Sequence, residues 1–472
     1  MKAPSIKKNF MMNAILSVSS IIFPLITYPY VTRILGPDGI GKVGMAQSVI
    51  NYFTLAAQLG VPIYGIRECA KRRDDKEALS RLAYELLILS LITTVISYAV
   101  YYLCITCVPK LAGEKNLYML MGVSILCSII SMEWLYKGLE QYTYITVRSL
   151  IFNTTALILI FLLVNKTDDY VIYGGLIVLA PCASGLVNFI HSRKLLTRPR
   201  SGLRPFSHIK PVLVFFAMSC ATTIYTNLDT VMLGAMRDDA EVGYYRTAVY
   251  VKIALVSVIT SLGAVMLPRA SYYIEHNEKE KFKEATGKAI NFVLTVAIPL
   301  MVYFIIFAKE TISIISGAKF TASIAPMQLI MPTLLFIGLS NIIGFQILVP
   351  LGKEKYVLIS EIAGAVTDFI INLALIPRYG AAGAAIGTTV AELVVTTVQM
   401  IAAKGQLVSI IKMKNLIRPM LGTVAGYIAT IMIRRLTLTD AITMLISAVA
   451  FFGIYMSFNY SKIIMWSDKR QK

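Results

Sequence analysis

The sequence predicts an all-α membrane protein of about fourteen transmembrane helices, and three observations predict it. First, 57% of the 472 residues are hydrophobic and only 15% are charged, with a mean hydropathy of +0.69. A soluble chain carries roughly 25% charged residues, so lipid has to be the solvent here. Second, apolar runs of the roughly 20 residues that cross a bilayer recur along the chain. Backbone polar groups cannot go unpaired in hydrocarbon, which leaves helices or a closed barrel. Runs of this length exclude the short alternating strands of a barrel. Third, Lys and Arg gather in alternate connections, the signature of loops retained on the cytoplasmic side.

Taken in order, the first run follows Lys2, Lys7 and Lys8, starts near Phe10 and continues past Ile22. It is too long for a signal core and lacks a small-residue cleavage site, so it reads as a retained first span. Spans are expected at about 10–33, 39–66, 80–107, 117–137, 147–164, 170–192, 211–234, 242–267, 288–308, 323–350, 356–377, 383–404, 416–436 and 440–459. The even-numbered connections hold Arg67, Lys71, Arg72, Arg73, Lys76 and Arg81, then Arg193, Lys194, Arg198, Arg200, Arg204 and Lys210. A third basic cluster is Arg269, Lys279, Lys281, Lys283 and Lys288. The odd-numbered connections, such as 165–169 and 237–241, are short and poor in cations. Both termini are therefore expected in the cytoplasm, with the chain multi-pass in the inner membrane. The net charge of +19 is largely this bias. A basic face beside anionic headgroups accounts for it, and nucleic acid is not an expected partner.

Several functions are excluded by what these connections lack. None exceeds about twenty residues, too short for the folded external domain of a glycan-handling enzyme. No acidic cluster beside a large loop, no nucleophile–His arrangement and no GxxxxGK[ST] phosphate loop occurs, so neither an enzyme nor an ATP-driven pump is expected. The cysteines Cys69, Cys104, Cys107, Cys127, Cys182 and Cys220 fall mostly within spans. Cys104 and Cys107 have redox or metal spacing, but none of the three histidines lies near them, and packing is the better reading.

A weak internal repeat divides the chain. Arg33-Ile34-Leu35-Gly36 and Gly44-Met45-Ala46-Gln47 join spans one and two, as Met232-Leu233-Gly234 and Gly243-Tyr244-Tyr245-Arg246 join spans seven and eight. An N-terminal six-helix lobe is expected over 1–197, a basic cytoplasmic linker over 198–210 and a pseudo-symmetric second lobe over 211–405. Two further helices and a cytoplasmic tail complete the chain over 406–472. Such paired lobes suit alternating access around a midplane site.

Polar residues inside spans are costly, so their angular placement is informative. Asn13, Ser17, Ser20, Pro24 and Thr27 share one helical face, as do Gln47, Asn51, Thr54 and Gln58. Such faces line either a hydrated cavity or a tight helix seam. The bulky amides of Gln47, Asn51 and Gln58 favour the cavity. In the second lobe Ser219, Thr222, Thr226 and Asp229 form one face; Asp368 and Asn372 lie one turn apart, with Glu361 two turns earlier; Ala384, Thr388 and Glu392 form another. Hard oxygen donors of this kind suit a small cation or a proton, with Asp229, Asp368 and Asn372 as the candidate site. The alternative makes Asp229 a helix-end cap and lets Glu392 snorkel. Among in-span cations, Arg246 and Lys252 are six residues apart, about 120° around a helix, and read as cavity residues able to meet phosphate. Lys42 sits at or inside span two, and Arg33 and Arg67 read as snorkelling helix ends. Pro24, Pro29, Pro62, Pro299, Pro326, Pro332 and Pro350 are expected to bend their spans.

Four stretches carry a family resemblance: Tyr28-Pro29-Tyr30-Val31-Thr32-Arg33-Ile34-Leu35-Gly36, Glu133-Trp134-Leu135-Tyr136-Lys137-Gly138 with Glu140, Asn227-Leu228-Asp229-Thr230-Val231-Met232-Leu233-Gly234, and Ile376-Pro377-Arg378-Tyr379-Gly380-Ala381-Ala382-Gly383-Ala384. With them nearly the whole chain resembles bacterial polysaccharide flippases of the Wzx type, in the multidrug/oligosaccharidyl-lipid/polysaccharide exporter superfamily. The resemblance implies two MATE-like lobes and transfer of undecaprenyl-diphosphate-linked oligosaccharide from the cytoplasmic to the outer leaflet for surface polysaccharide biosynthesis. Glycosyltransferases and a polysaccharide polymerase are the implied partners, with membrane lipids around the chain. By resemblance to lipid II flippases, a sodium site would fall on Asp229, Asp368, Asn372, the Ala384 carbonyl and Thr388, although Asp and Asn are exchanged relative to that branch. Lys42, Arg246 and Lys252 would face the diphosphate, with Gln47, Asn51 and Gln58 lining the same cavity. No cofactor is implied beyond Na+ or H+ as coupling ion. Two rival readings are a multidrug cation antiporter of the same fold and, further off, a glycan polymerase or ligase.

Overall fold

The computed structural model describes residues 6–197, 199, 202–406, 414–434 and 439–468. Lys2, Arg198 and Arg200 fall outside the described residues, as do the side chains of Lys7, Thr222 and Arg269. Among the described residues every regular element is helical. Among the described residues nine helices are long and apolar enough to cross a membrane, and a bent pair, Ala318–Ile330 with Thr333–Leu348, makes ten when counted as one span. Two of the nine hold two spans each, because the backbone breaks at Gly36 and Gly380. Two shorter apolar helices, Pro205–Ala217 and Ile417–Ile433, overlap the places where the seventh and thirteenth spans are expected. The chain is a multi-pass, all-α membrane protein with the expected series of spans.

The two breaks have a common cause. Gly36 adopts φ 69° and Gly380 φ 53°, left-handed values at which a Cβ would be strained. Pro37 adds to the first by denying its predecessor the α region. Proline alone does less: Pro24 and Pro29 sit within α1 (Ile6–Gln58), and the non-helical residue of that helix is Gly36. The second expected span ends earlier than its apolar run, at Gln58. Leu59 and Gly60 are left-handed, and Pro62 opens a separate helix, α2 (Val61–Arg72). The fourth span likewise divides at left-handed Met132 into α5 (Lys115–Ser131) and α6 (Glu133–Gly138).

Two compact units follow one another, Met1–Gly243 and Tyr244–Lys472. In the first, α3 (Lys76–Cys107) starts on the Asp75 cap, whose carboxylate accepts from the Glu77 and Ala78 amides. Helices α2 and α6 touch through small residues: a Cβ on Gly138 would lie 2.7 Å from that of Cys69, and one on Gly65 2.8 Å from the Trp134 ring. Around them Leu82, Leu86, Leu135 and Tyr136 close an apolar core. The described part of the basic stretch is fastened to this core. Glu85 accepts from the Arg204 amide and meets His208 Nε2, each at 2.8 Å, while His208 Nδ1 meets the Tyr64 hydroxyl at 2.8 Å.

The second unit centres on α11 (Lys279–Ile306), α15 (Glu354–Ala402) and the last two helices. Tyr303, Phe307 and Phe451 form its aromatic core, and the Tyr303 and Tyr455 hydroxyls donate to the Met444 and Thr295 carbonyls. Helices Lys414–Arg434 and Asp440–Asp468 pack closely through Gly422 and Gly426, whose missing side chains admit Tyr455 and Phe451.

Candidate functional site

In the first unit the amide face of the second span meets α9 (Ile209–Met236). Gln47 Nε2 donates to Asn51 Oδ1 at 2.9 Å, and Asn51 Nδ2 donates to Asn227 Oδ1 at 3.1 Å. Asn227 in turn donates to the Thr223 carbonyl. Beside this amide chain lies a pocket of about 340 Å³ whose polar lining is Asn51, Thr54, Gln58, Ser219, Thr223 and Asn227. Seam and cavity thus coexist: one end of the face is hydrogen-bonded across to α9, and the other opens into polar space. In hydrocarbon surroundings such a pocket holds water or the polar part of a ligand, since unpaired amides there cost several kcal/mol. Asn227 and Thr223, the partners from α9, were not singled out from the sequence as pocket residues.

Lys42 stands elsewhere in the same unit. Its ammonium pairs with Glu114 Oε1 at 2.6 Å and lies 4.6 Å from the Tyr170 ring centre, and the Tyr170 hydroxyl donates to Glu114 Oε2 at 2.7 Å. Helix periodicity gives no hint of this counterion, which comes from the start of another span. Asp229 is buried in α9. The two halves of the sequence repeat touch backbone to backbone: a Cβ on Gly41 would lie 1.7 Å from the Asp239 carbonyl oxygen, and one on Gly243 2.1 Å from that of Pro37.

In the second unit the Gly380 break folds α15 back on itself and brings the two acidic and hydroxyl faces together. Asn372 Nδ2 donates to Asp368 Oδ1 at 3.2 Å, and both side chains lie over Gly387, where a Cβ would come within 2.2 Å of Asn372 Oδ1. One residue on, Thr388 donates to the Ala384 carbonyl at 3.0 Å and shares a 2.9 Å hydrogen bond with the Tyr245 hydroxyl. Asp368, Asn372, Ala384 and Thr388 are all buried. Carboxylate, amide, hydroxyl and carbonyl oxygens form a hard donor set suited to Na+, or a carboxylate suited to a proton. Tyr245, which the sequence offers only as part of the repeat, adds a fifth oxygen. Among the described residues no group of three His, Cys, Asp or Glu side chains could hold a metal ion, so a transition-metal centre finds no ligand set there.

Arg246 and Lys252 lie on α10 (Asp239–Glu275), both half-buried. Among the described residues neither pairs with a carboxylate, in contrast to Lys42.

This assembly of kinked apolar helices with buried polar clusters is that of a multi-pass helical membrane protein with polar sites among its spans. The family described as "Polysaccharide biosynthesis protein" matches residues 6–274, and the chain belongs to it. A second family, MatE, matches residues 215–374. A relative from Escherichia coli (strain K12) named "Putative O-antigen transporter" is 21% identical over 84% of this chain and 96% of its own. Its namesake from Shigella dysenteriae is 23% identical over 84% of this chain and 100% of its own. Among solved structures, "Lipid II flippase MurJ, inward closed conformation" superposes with a TM-score of 0.70 at 16% identity, covering 94% of this chain and 100% of that one. An inward-facing multidrug resistance MATE family transporter gives 0.61 at 17% identity, covering 82% and 94%. These structures establish a MATE-like fold.

Proposed function

We propose that the chain is a flippase that moves undecaprenyl-diphosphate-linked oligosaccharide from the cytoplasmic to the outer leaflet, for surface polysaccharide made with glycosyltransferases and a polymerase. Family membership supports the substrate class. The observation that carries the reading is the pair of half-buried cations on α10, Arg246 and Lys252, which among the described residues have no carboxylate partner. A buried or half-buried guanidinium or ammonium in a membrane needs an anion, and a diphosphate supplies one. The polar pocket at Asn51, Thr54 and Gln58 offers the hydrogen-bonding surface that sugar hydroxyls require, while the lipid tail stays in the bilayer. Lys42 joins the site once its pair with Glu114 opens. The termini lie in the cytoplasm, and the lobes over 1–197 and 211–405 alternate about the site.

The lobes are reset by entry of Na+ or H+ at Asp368, Asn372, Thr388 and the Ala384 carbonyl with Asp229, or by the membrane potential. Either source is adequate, as one charge crossing 100 mV is worth about 2.3 kcal/mol. No chemistry on the sugar is required of the protein.

The MatE match favours, as second reading, antiport of small organic cations. Arg246 and Lys252, as anion-binding groups, would oppose that cargo. The test is surface polysaccharide in cells carrying Arg246→Ala or Lys252→Ala. Each is expected to lower export at least about tenfold, the loss of one charge-assisted contact, with normal membrane insertion and lipid-linked units accumulating inside. Wild-type export in both variants would refute the diphosphate role.

A further inference from the structure

A larger cavity of about 640 Å³ lies in the first unit, away from the amide pocket, between the start of α1, the start of α7 (Tyr142–Leu163) and α8 (Tyr170–Leu195). Its lining is mainly apolar, including Ile151, Phe152 and Val187, but Asn9, Tyr144 and Arg148 also border it. Arg148 is only 7% exposed. Its Nη1 donates to Asn188 Oδ1 and its Nη2 to Ser149 Oγ, both neutral acceptors. Its Nε has no hydrogen-bond partner, and neither do the Tyr144 hydroxyl and Asn9 Oδ1. Among the described residues no carboxylate pairs with Arg148; Glu140, on the same cavity, pairs with Arg73 at 3.5 Å.

The hydrogen-bond acceptors of Arg148 are all neutral, the Glu133 carboxylate that acts on it from a distance is itself paired with Lys137, and removal from water makes such a guanidinium costly. Three unsatisfied polar groups, two of them donors to an anion, border one apolar cavity. That combination is amphipathic in the way a lipid is. Arg148 is the seventh residue of α7, roughly 9 Å along the helix from its start.

We propose that this cavity binds one glycerophospholipid, its phosphodiester on Arg148 and Tyr144, a headgroup hydroxyl on Asn9 and an acyl chain along Ile151, Phe152 and Val187. One cation matches the single charge of a phosphodiester; a lipid diphosphate carries more charge than this site neutralises, so the site is separate from that of the transported lipid. Binding ties together α1, α7 and α8, each of which contributes lining.

The test is thermal unfolding of the full-length protein in detergent, titrated with dioleoylphosphatidylglycerol. Saturable stabilisation is expected, with a midpoint at least about tenfold higher in Arg148→Gln. Val187→Trp, which fills the apolar end and spares the charge, is expected to weaken it too and decides the matter should Arg148→Gln fail to fold. Equal midpoints in the wild type and both folded variants would overturn the proposal. So would equal stabilisation by dioleoylglycerol, which lacks phosphate, or by inorganic phosphate alone. Displacement of the phosphatidylglycerol by undecaprenyl diphosphate at lower concentration would overturn it in favour of the transported lipid.

Discussion

Lys42, Arg246 and Lys252 are alike in charge and differ in company. Glu114 neutralises the first, so its ammonium meets a ligand only by exchanging one anion for another. Arg246 and Lys252 need no such exchange, which makes them the more sensitive positions for the export test. At the edge of the first unit Glu68 shows the opposite balance. Burial opposes its charged form, but hydrogen bonds from Lys71 and Arg72 outweigh burial and hold the carboxyl below its ordinary value. A depressed folded-state value means the stabilisation is present above the ordinary carboxylate range and is lost as pH falls through the folded value. Glu68→Gln should therefore melt lower than the wild type at pH 7. The gap should close as pH falls below the ordinary carboxylate range and through the depressed folded value, where the wild type also loses the charge. A gap that stays constant with pH would show the effect is packing rather than ionisation.

Glycines govern how the helical elements approach one another. Gly41 and Gly243 let the repeat's two connections meet at the peptide backbone, so Gly41→Ala must push the Asp239 peptide aside. It should cost about 1–3 kcal/mol, the usual range for overpacking, seen as a lower melting temperature. Gly453→Ala, in a helix where a Cβ meets nothing within 4 Å, should instead be neutral or stabilising by up to about 1 kcal/mol. Equal effects at the two positions would argue against the close approach. Faces of single helices were readable from spacing alone: Asn51, Thr54 and Gln58 recur at three and four residues and do border one pocket. Asp368 and Asn372, and Ala384 and Thr388, were readable the same way. Their partners were not, because spacing gives a face and never the opposing residue. Asn227 against Asn51, Glu114 against Lys42 and Tyr245 against Thr388 all depend on contacts distant in sequence. Arg148 escaped notice since one cation near a span's start looks like any other helix-end residue until its burial is seen.

Across the whole molecule, composition and charge bias carried the reading furthest. Side chains such as Leu445 and Val449, 68% and 70% exposed, make an apolar exterior that only lipid can satisfy. The span series followed from the same apolar runs, whereas the breaks fall at Gly36 and Gly380 rather than at the prolines expected to bend the spans. What composition could not supply is the cargo, since folds of this kind serve several. The account is therefore tested most directly in proteoliposomes of the purified protein carrying a fluorescent undecaprenyl-diphosphate oligosaccharide in the outer leaflet, followed by its exchange with the inner leaflet against an impermeant quencher. Exchange far above that of protein-free vesicles, with the lipid recovered chemically unchanged, is the predicted result. No exchange beyond the protein-free rate, under an imposed Na+ or H+ gradient and membrane potential, or recovery of a lipid with new glycosidic bonds, would contradict it.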